Sequence, residues 1–404
     1  QSPPYIATRI TETVLRKEWA EVSEMSAIDV VGAVQQERLV DLLMQLCRAD
    51  SAPLRERPVF EIVWEHLVAL GFHVREDDAG RRLGGEVGNI IATKPGRGAG
   101  EHWEPVMFSA HLDRVEGGVG VRPVLVNGRI QSDGSTILGA DDAAGLAAII
   151  EACRVLRETE ASHAPLELVL TVGEEIGLVG AYHVDVEALR SKVGFVLDAE
   201  GPVGTIIARA PTHYIIEAQF FGRAAHAGIE PERGLNAIKI AAQAVSRMDL
   251  GRIDFETTAN VGYIAGGGPT NVVPERAEIR AEARSLDPEK AKKQVQNMRR
   301  AIEEAAAASG GRATWDVRLA YEGFRLDEES EPIRRAKAAA RRIGRSPVIK
   351  ATGGGSDANV FNAKGLPTAV LGVGFEAIHS FRESMPVEEL VKLTEMVLAL
   401  ATSP

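Results

Sequence analysis

Short, mostly apolar runs in this chain repeatedly stop at a histidine or an acid. Val106-Met107-Phe108 leads into Ser109-Ala110-His111-Leu112-Asp113, Leu166 to Val172 into Gly173-Glu174-Glu175, and Val193 to Leu197 into Asp198. Thr368 to Val373 is followed after a short loop by His379. Runs of that length and composition predict buried strands. Helical patterns separate them, as in the Ala-, Leu- and Ile-rich stretch from about Asp142 to Arg157 that follows Gly139-Ala140-Asp141. Strands alternating with helices predict an α/β domain, its mostly parallel sheet covered by helices on both faces. The polar residues all fall at or just beyond the carboxyl ends of the strands, the edge where open α/β sheets bind ligands.

A chain of 404 residues exceeds what one core usually serves, so two domains are expected. From Pro211 to Ala320 the rhythm changes to β-α-β-β-α-β, with strands at Tyr214–Phe221, Ala259–Ile264, Arg276–Ser285 and Ala313–Leu319. Helices at Leu235–Met248 and Pro288–Ala308 complete a ferredoxin-like α+β unit able to fold around its own core. The expected division is an N-terminal extension (1–35), a catalytic domain in two parts (36–210 and 321–404) and the inserted unit (211–320). Helical spacing is also read over Ile10–Met25, Gln36–Ala49, Val59–Leu70 and Ile333–Ile343, and Asn127-Gly128 predicts a hairpin.

A formal charge of −11, with no basic stretch carrying interleaved aromatics, excludes nucleic acid as a natural partner. No apolar run reaches the length of a bilayer span. Residues 1–13 lack the apolar stretch of a secretory signal. Cys47 and Cys153 sit among apolar neighbours and read as buried reduced thiols, which fits a cytoplasmic location.

Hydrolysis of an unactivated amide requires a strong nucleophile and stabilisation of an oxyanion. Two divalent metals about 3.5–4 Å apart supply both, given carboxylate and imidazole ligands, a shared carboxylate and a base. His111 and Asp113 lie at i and i+2 of a strand end and share a side, so Asp113 can orient the His111 ring. Asp141 and Asp142 open a helix, where acids also serve as ordinary caps. Glu174 and Glu175 are flanked by glycines that let the backbone turn close to a ligand. Asp198 alone is a turn acid, and His379 alone an exposed loop histidine. His66, His73, His102, His163, His183 and His213 are read as lying on helices or solvent-facing loops. A His/Asp/Glu set delivered by five strand-end segments, however, is a poor accident.

At these motifs the chain resembles a known family. Ser109–Asp113, Leu138–Gly145, Thr171–Gly177 and Gly353-Gly354-Gly355-Ser356-Asp357 look like the motif series of the dizinc exopeptidases, which include peptidase T, carboxypeptidase G and the aminoacylases. The resemblance runs from about Gln36 to the C-terminus and leans towards peptidase T-like proteins. It implies one zinc on His111, Asp141 and Asp198 and a second on Asp141, Glu175 and His379, with cobalt or manganese also suited to such ligands. It further implies Glu174 as general base, Asp113 as the residue orienting His111, and a cis Asp141–Asp142 peptide. In the inserted lid, Gly222–Gly228 matches the segment whose histidine, here His226, stabilises the oxyanion, commonly across a dimer interface. Asn271 and Arg284 match positions that grip a substrate carboxylate, a task the forked guanidinium suits.

The activity so implied is removal of a terminal residue from small peptides by a homodimer acting on peptide or N-acyl amino acid substrates. Ala358 stands where peptidase T has Gly, and the Phe375–Arg382 loop differs, departures that touch substrate choice more than metal binding. A carboxypeptidase or N-acyl amino acid hydrolase of the same family is the nearest alternative, and a non-catalytic binding protein on this scaffold a more distant one.

Overall fold

The computed structural model describes residues 30–404. The expected helix over Ile10–Met25 and nearly all of the expected N-terminal extension lie outside the described residues. The chain divides into two compact units. One comprises the described residues up to Ile207 with Asp327–Ile349 and Lys364–Pro404; the other comprises Ala208–Leu326 and Lys350–Ala363.

The first unit is built on a sheet whose neighbours run, in order, His73–Glu76, Ile90–Lys94, Leu166–Thr171, Val106–His111, Gly194–Ala199, Thr368–Gly372 and the first half of Thr205–Ala210, up to Ile207. The central pairings are parallel and the outer ones antiparallel. Val106–His111 and Leu166–Thr171 are buried at every position, as strands covered on both faces must be. Helix Ala140–Glu158 is buried almost throughout, which explains an Ala/Leu/Ile composition with no polar stripe. Gln36–Arg48 buries Leu39, Leu42, Leu43 and Leu46, the residues whose spacing predicted it. A small second sheet contains the hairpin Pro123–Val126 and Arg129–Ser132. Its two turn residues have φ of 51° at Asn127 and 74° at Gly128, as a primed hairpin turn requires.

The second unit holds an antiparallel sheet in the order Gly251–Arg252, Thr257–Gly266, Arg276–Ser285, Thr212–Phe221 and Arg312–Tyr321. Helices Ala237–Ser246 and Pro288–Ala308 share a core with it, built from Ile216, Phe220, Ile240, Ile279, Met298 and Ile302. Asn236 and Asp287 cap these helices by accepting the N–H groups of Lys239 and Glu289. Lys350–Ala363, which carries the Gly353–Asp357 motif, belongs to this unit, where Asn359 donates to the carbonyls of Pro211 and Glu322. Among the described residues no helix is long and apolar enough to cross a membrane.

Candidate metal centre

Five chain segments of the first unit converge on one cluster. His111 is the last residue of its strand and is buried. Asp141 lies in the turn that opens helix Ala140–Glu158, where Asp141 and Asp142 have non-helical angles and their peptide bond is cis. Glu174 and Glu175 follow Leu166–Thr171 after Gly173, whose φ is 62°. Asp198 is the penultimate residue of the strand Gly194–Ala199, inside the strand rather than just beyond its end as expected. His379 lies in the loop after Thr368–Gly372, with a side chain 46 % exposed.

Within the cluster the two oxygens of Asp141 face different imidazoles. Oδ1 lies 3.1 Å from His111 Nε2, and Oδ2 lies 3.2 Å from His379 Nε2. Asp198 Oδ1 approaches His111 Nε2 at 3.8 Å, and Glu175 Oε1 approaches His379 Nε2 at 3.1 Å. Ligand atoms of His111, Asp141 and Asp198 all lie within 4.8 Å of one another, as do those of Asp141, Glu175 and His379. A third set, His111, Glu174 and Glu175, meets the same limit.

Asp113 does more than neighbour His111. The His111 ring places Nδ1 2.9 Å from the carbonyl oxygen of Asp113, which turns Nε2 towards the acids. The Asp113 carboxylate is 3.5 Å from Nδ1 and accepts the N–H groups of Glu174 (2.9 Å) and Glu175 (3.1 Å). Asp142 takes the capping role: its carboxylate accepts from Gly145 N–H at 3.1 Å and from His111 N–H at 3.3 Å. Glu383, which sequence reasoning passed over, accepts the N–H groups of Leu138, Gly139, Ala140 and Asp141. A glutamate four residues after a loop histidine carries no signal that distinguishes it from a solvated one.

The electrostatics describe a site short of positive charge. Burial alone would lower the His111 pKa, but contacts with Asp113 and Asp141 outweigh it and raise the ring well above its ordinary value. His379 is pushed up to about 10, chiefly by its contacts with Asp141 and Glu175. Burial raises Asp198 well above the carboxylate range, with the charges of Asp141 and Glu174 adding to it. Asp141 resists the same burial because His111 and His379 hold it below that range. Hard carboxylates and imidazoles that draw protons onto two histidines form a donor set suited to a pair of divalent cations.

In the second unit, the segments carrying His226 and Asn271 are adjacent. Ala227 N–H donates to the Asn271 carbonyl at 2.9 Å, and His226 bridges to Val272. Arg284 keeps different company, donating to Glu282 at 3.0 Å and to the Tyr321 hydroxyl at 3.2 Å. His213 is not on an exposed loop as expected; it is buried on a strand, 3.1 Å from Glu282 and edge-on to Tyr321. His163, in the first unit, is likewise buried, its Nδ1 2.7 Å from the Ala164 carbonyl. A single histidine outside a repeating apolar pattern shows no periodicity from which burial can be read.

Comparison with known proteins places the chain in a family. The uncharacterized protein YqjE of Bacillus subtilis is 46% identical over 367 residues, covering 91% of this chain and 98% of that one. The crystal structure of aminopeptidase PepT from Bacillus cereus matches with a TM-score of 0.82 and 45% identity, over 91% of this chain and 98% of that one. A tripeptidase from Staphylococcus aureus matches with a TM-score of 0.86 and 38% identity over the same shares, 91% and 98%. Residues 107–403 match the model of peptidase family M20/M25/M40, and the chain belongs to that family of peptide-bond hydrolases.

Proposed function

We propose that this chain is a peptidase T-like aminopeptidase that removes the N-terminal residue of small peptides with two divalent cations, zinc in the first instance. The observation that carries the reading is the bifacial Asp141, one oxygen turned to the His111 group and the other to the His379 group. His111, Asp141 and Asp198 would hold one cation, and Asp141, Glu175 and His379 the other. When bound, the pair supplies an acidified water and polarises the scissile carbonyl.

Glu174 takes the proton of the attacking water and delivers it to the departing amine. Asp113 fixes that base through the Glu174 N–H while its carbonyl sets the His111 tautomer. His226 is the oxyanion donor: its Nδ1 accepts the Gly228 N–H at 3.2 Å, so the neutral ring carries its proton on Nε2. Asn271 and Arg284 grip the substrate carboxylate, with residues 211–320 acting as the lid and pairing in a homodimer. Two buried free thiols suit a reducing, cytoplasmic setting.

The test is amino-acid release from di- and tripeptides, including N-blocked and C-amidated forms, by zinc-loaded and chelator-treated protein. Zinc-dependent cleavage that requires a free amino end is the expected result. Cleavage confined to N-acylated substrates with a free carboxylate would replace the reading by a carboxypeptidase or acylase. Glu174→Gln should keep its zinc and lose on the order of 10²–10⁴ in kcat; near-normal turnover would remove Glu174 as the base.

A further inference from the structure

The loop that carries His379 is anchored at Glu383, not at the histidine. The His379 side chain is 46 % exposed, whereas Glu383 is 1 % exposed. Its Oε2 accepts N–H groups from Leu138 (3.0 Å) and Gly139 (2.9 Å), and its Oε1 accepts from Ala140 (2.7 Å) and Asp141 (3.2 Å). These are consecutive donors of the turn that presents Asp141. On its own side, Glu383 N–H closes a turn onto the Ser380 carbonyl, and Ser384–Pro386 pairs with Arg129–Gln131. The intervening loop is closed by a bridge between Glu376 and Ser384 (2.9 and 3.0 Å), and within it Ala377 (52°) and His379 (58°) take left-handed φ.

We propose that Glu383 is a positioning residue that fixes the distance between Asp141 and His379 and so assembles the second cation site. The inference rests on the two-cation reading above. An ionised carboxylate offers enough lone pairs for four N–H donors, whereas a glutamine offers a single acceptor oxygen and turns an NH₂ group towards the rest. Replacing the carboxylate therefore loosens the Asp141 turn and the His379 loop together, without altering a ligand side chain.

The experiment is zinc titration by calorimetry, with metal analysis after dialysis, on wild type, Glu383→Gln and Glu167→Gln. Glu167 is a control of the same kind: a buried carboxylate that accepts the N–H groups of Arg190 and Ser191. Wild type and Glu167→Gln should retain two zinc ions. Folded Glu383→Gln should bind its weaker zinc roughly 10- to 100-fold less tightly. Two ions of unchanged affinity in Glu383→Gln, whatever its melting temperature, would reduce Glu383 to a structural residue and overturn the inference. A wild type that binds no zinc would overturn the two-cation reading and this inference with it. Should Glu383→Gln fail to fold, Glu383→Asp, which keeps the charge but shortens the reach, is held to the same outcomes.

Discussion

Asp113 shows how one buried carboxylate can organise a centre without entering it, since its oxygens hold the two N–H groups that aim Glu174 and Glu175. Beside it, fully buried Glu56 accepts the N–H groups of Leu54 (2.7 Å) and Gly173 (3.0 Å), supporting the same loop from the other end. Burial, helped by the charge of Asp113, raises the Glu56 pKa from 4.5 to about 7. A carboxyl that titrates higher folded than unfolded binds protons more tightly when folded. Its contribution is complete below the unfolded value and is lost as pH rises through the folded one. Metal-free protein should thus lose stability between about pH 4.5 and 7 on account of Glu56, by up to about 3 kcal/mol. Glu56→Gln, compared with wild type by urea denaturation at pH 5 and pH 8, should show a smaller loss. The same pH dependence in both proteins would mean that Glu56 stays ionised throughout.

At the scale of elements, the start of helix Ala140–Glu158 depends on close approach. Gly139 has a φ of 71°, and a Cβ there would lie 2.6 Å from Arg114 Cδ. Arg114 has little room to yield, because its guanidinium donates to the carbonyls of Leu46, Cys47 and Ala49 at the end of helix Gln36–Arg48. Gly139→Ala combines a left-handed backbone penalty with overpacking, together about 2–4 kcal/mol. A fall in unfolding free energy of that size, measured by urea denaturation, is expected; less than about half a kcal/mol would mean that Arg114 turns aside freely. The elements themselves were legible because their signals are local. Helix Pro288–Ala308 and strand Arg276–Ser285 end where the sequence pattern ends, and Asn127-Gly128 turns as its chemistry requires. What escaped is tertiary. Glu383 meets Leu138 across 245 residues of sequence, and His213 is buried by the pairing of its strand with those of Glu282 and Tyr321. No window along the chain contains either relation.

At the scale of the whole molecule, two cores of different character share one chain. The first unit concentrates ionisable groups at the ends of its central strands, while the second closes an ordinary apolar core between its sheet and two helices. Without cations, the first unit must keep Asp198 against its neighbours' charge and hold protons on His111 and His379. On the two-cation reading proposed above, binding two dications removes that demand. A ligand at a thousand times its Kd stabilises the state that binds it by about 4 kcal/mol, roughly a thousandfold in an opening equilibrium. Hydrogen exchange resolved by peptide should therefore divide the chain. Zinc should slow exchange in 106–113, 138–145, 173–179 and 375–384 well beyond any change in 212–221, 276–285 and 288–308. Chelation should reverse the difference, because the second unit's core contains no ligand from either triad. Equal protection of both sets would mean that zinc stabilises the chain only as a whole, and that the acidic strand ends are not where it acts.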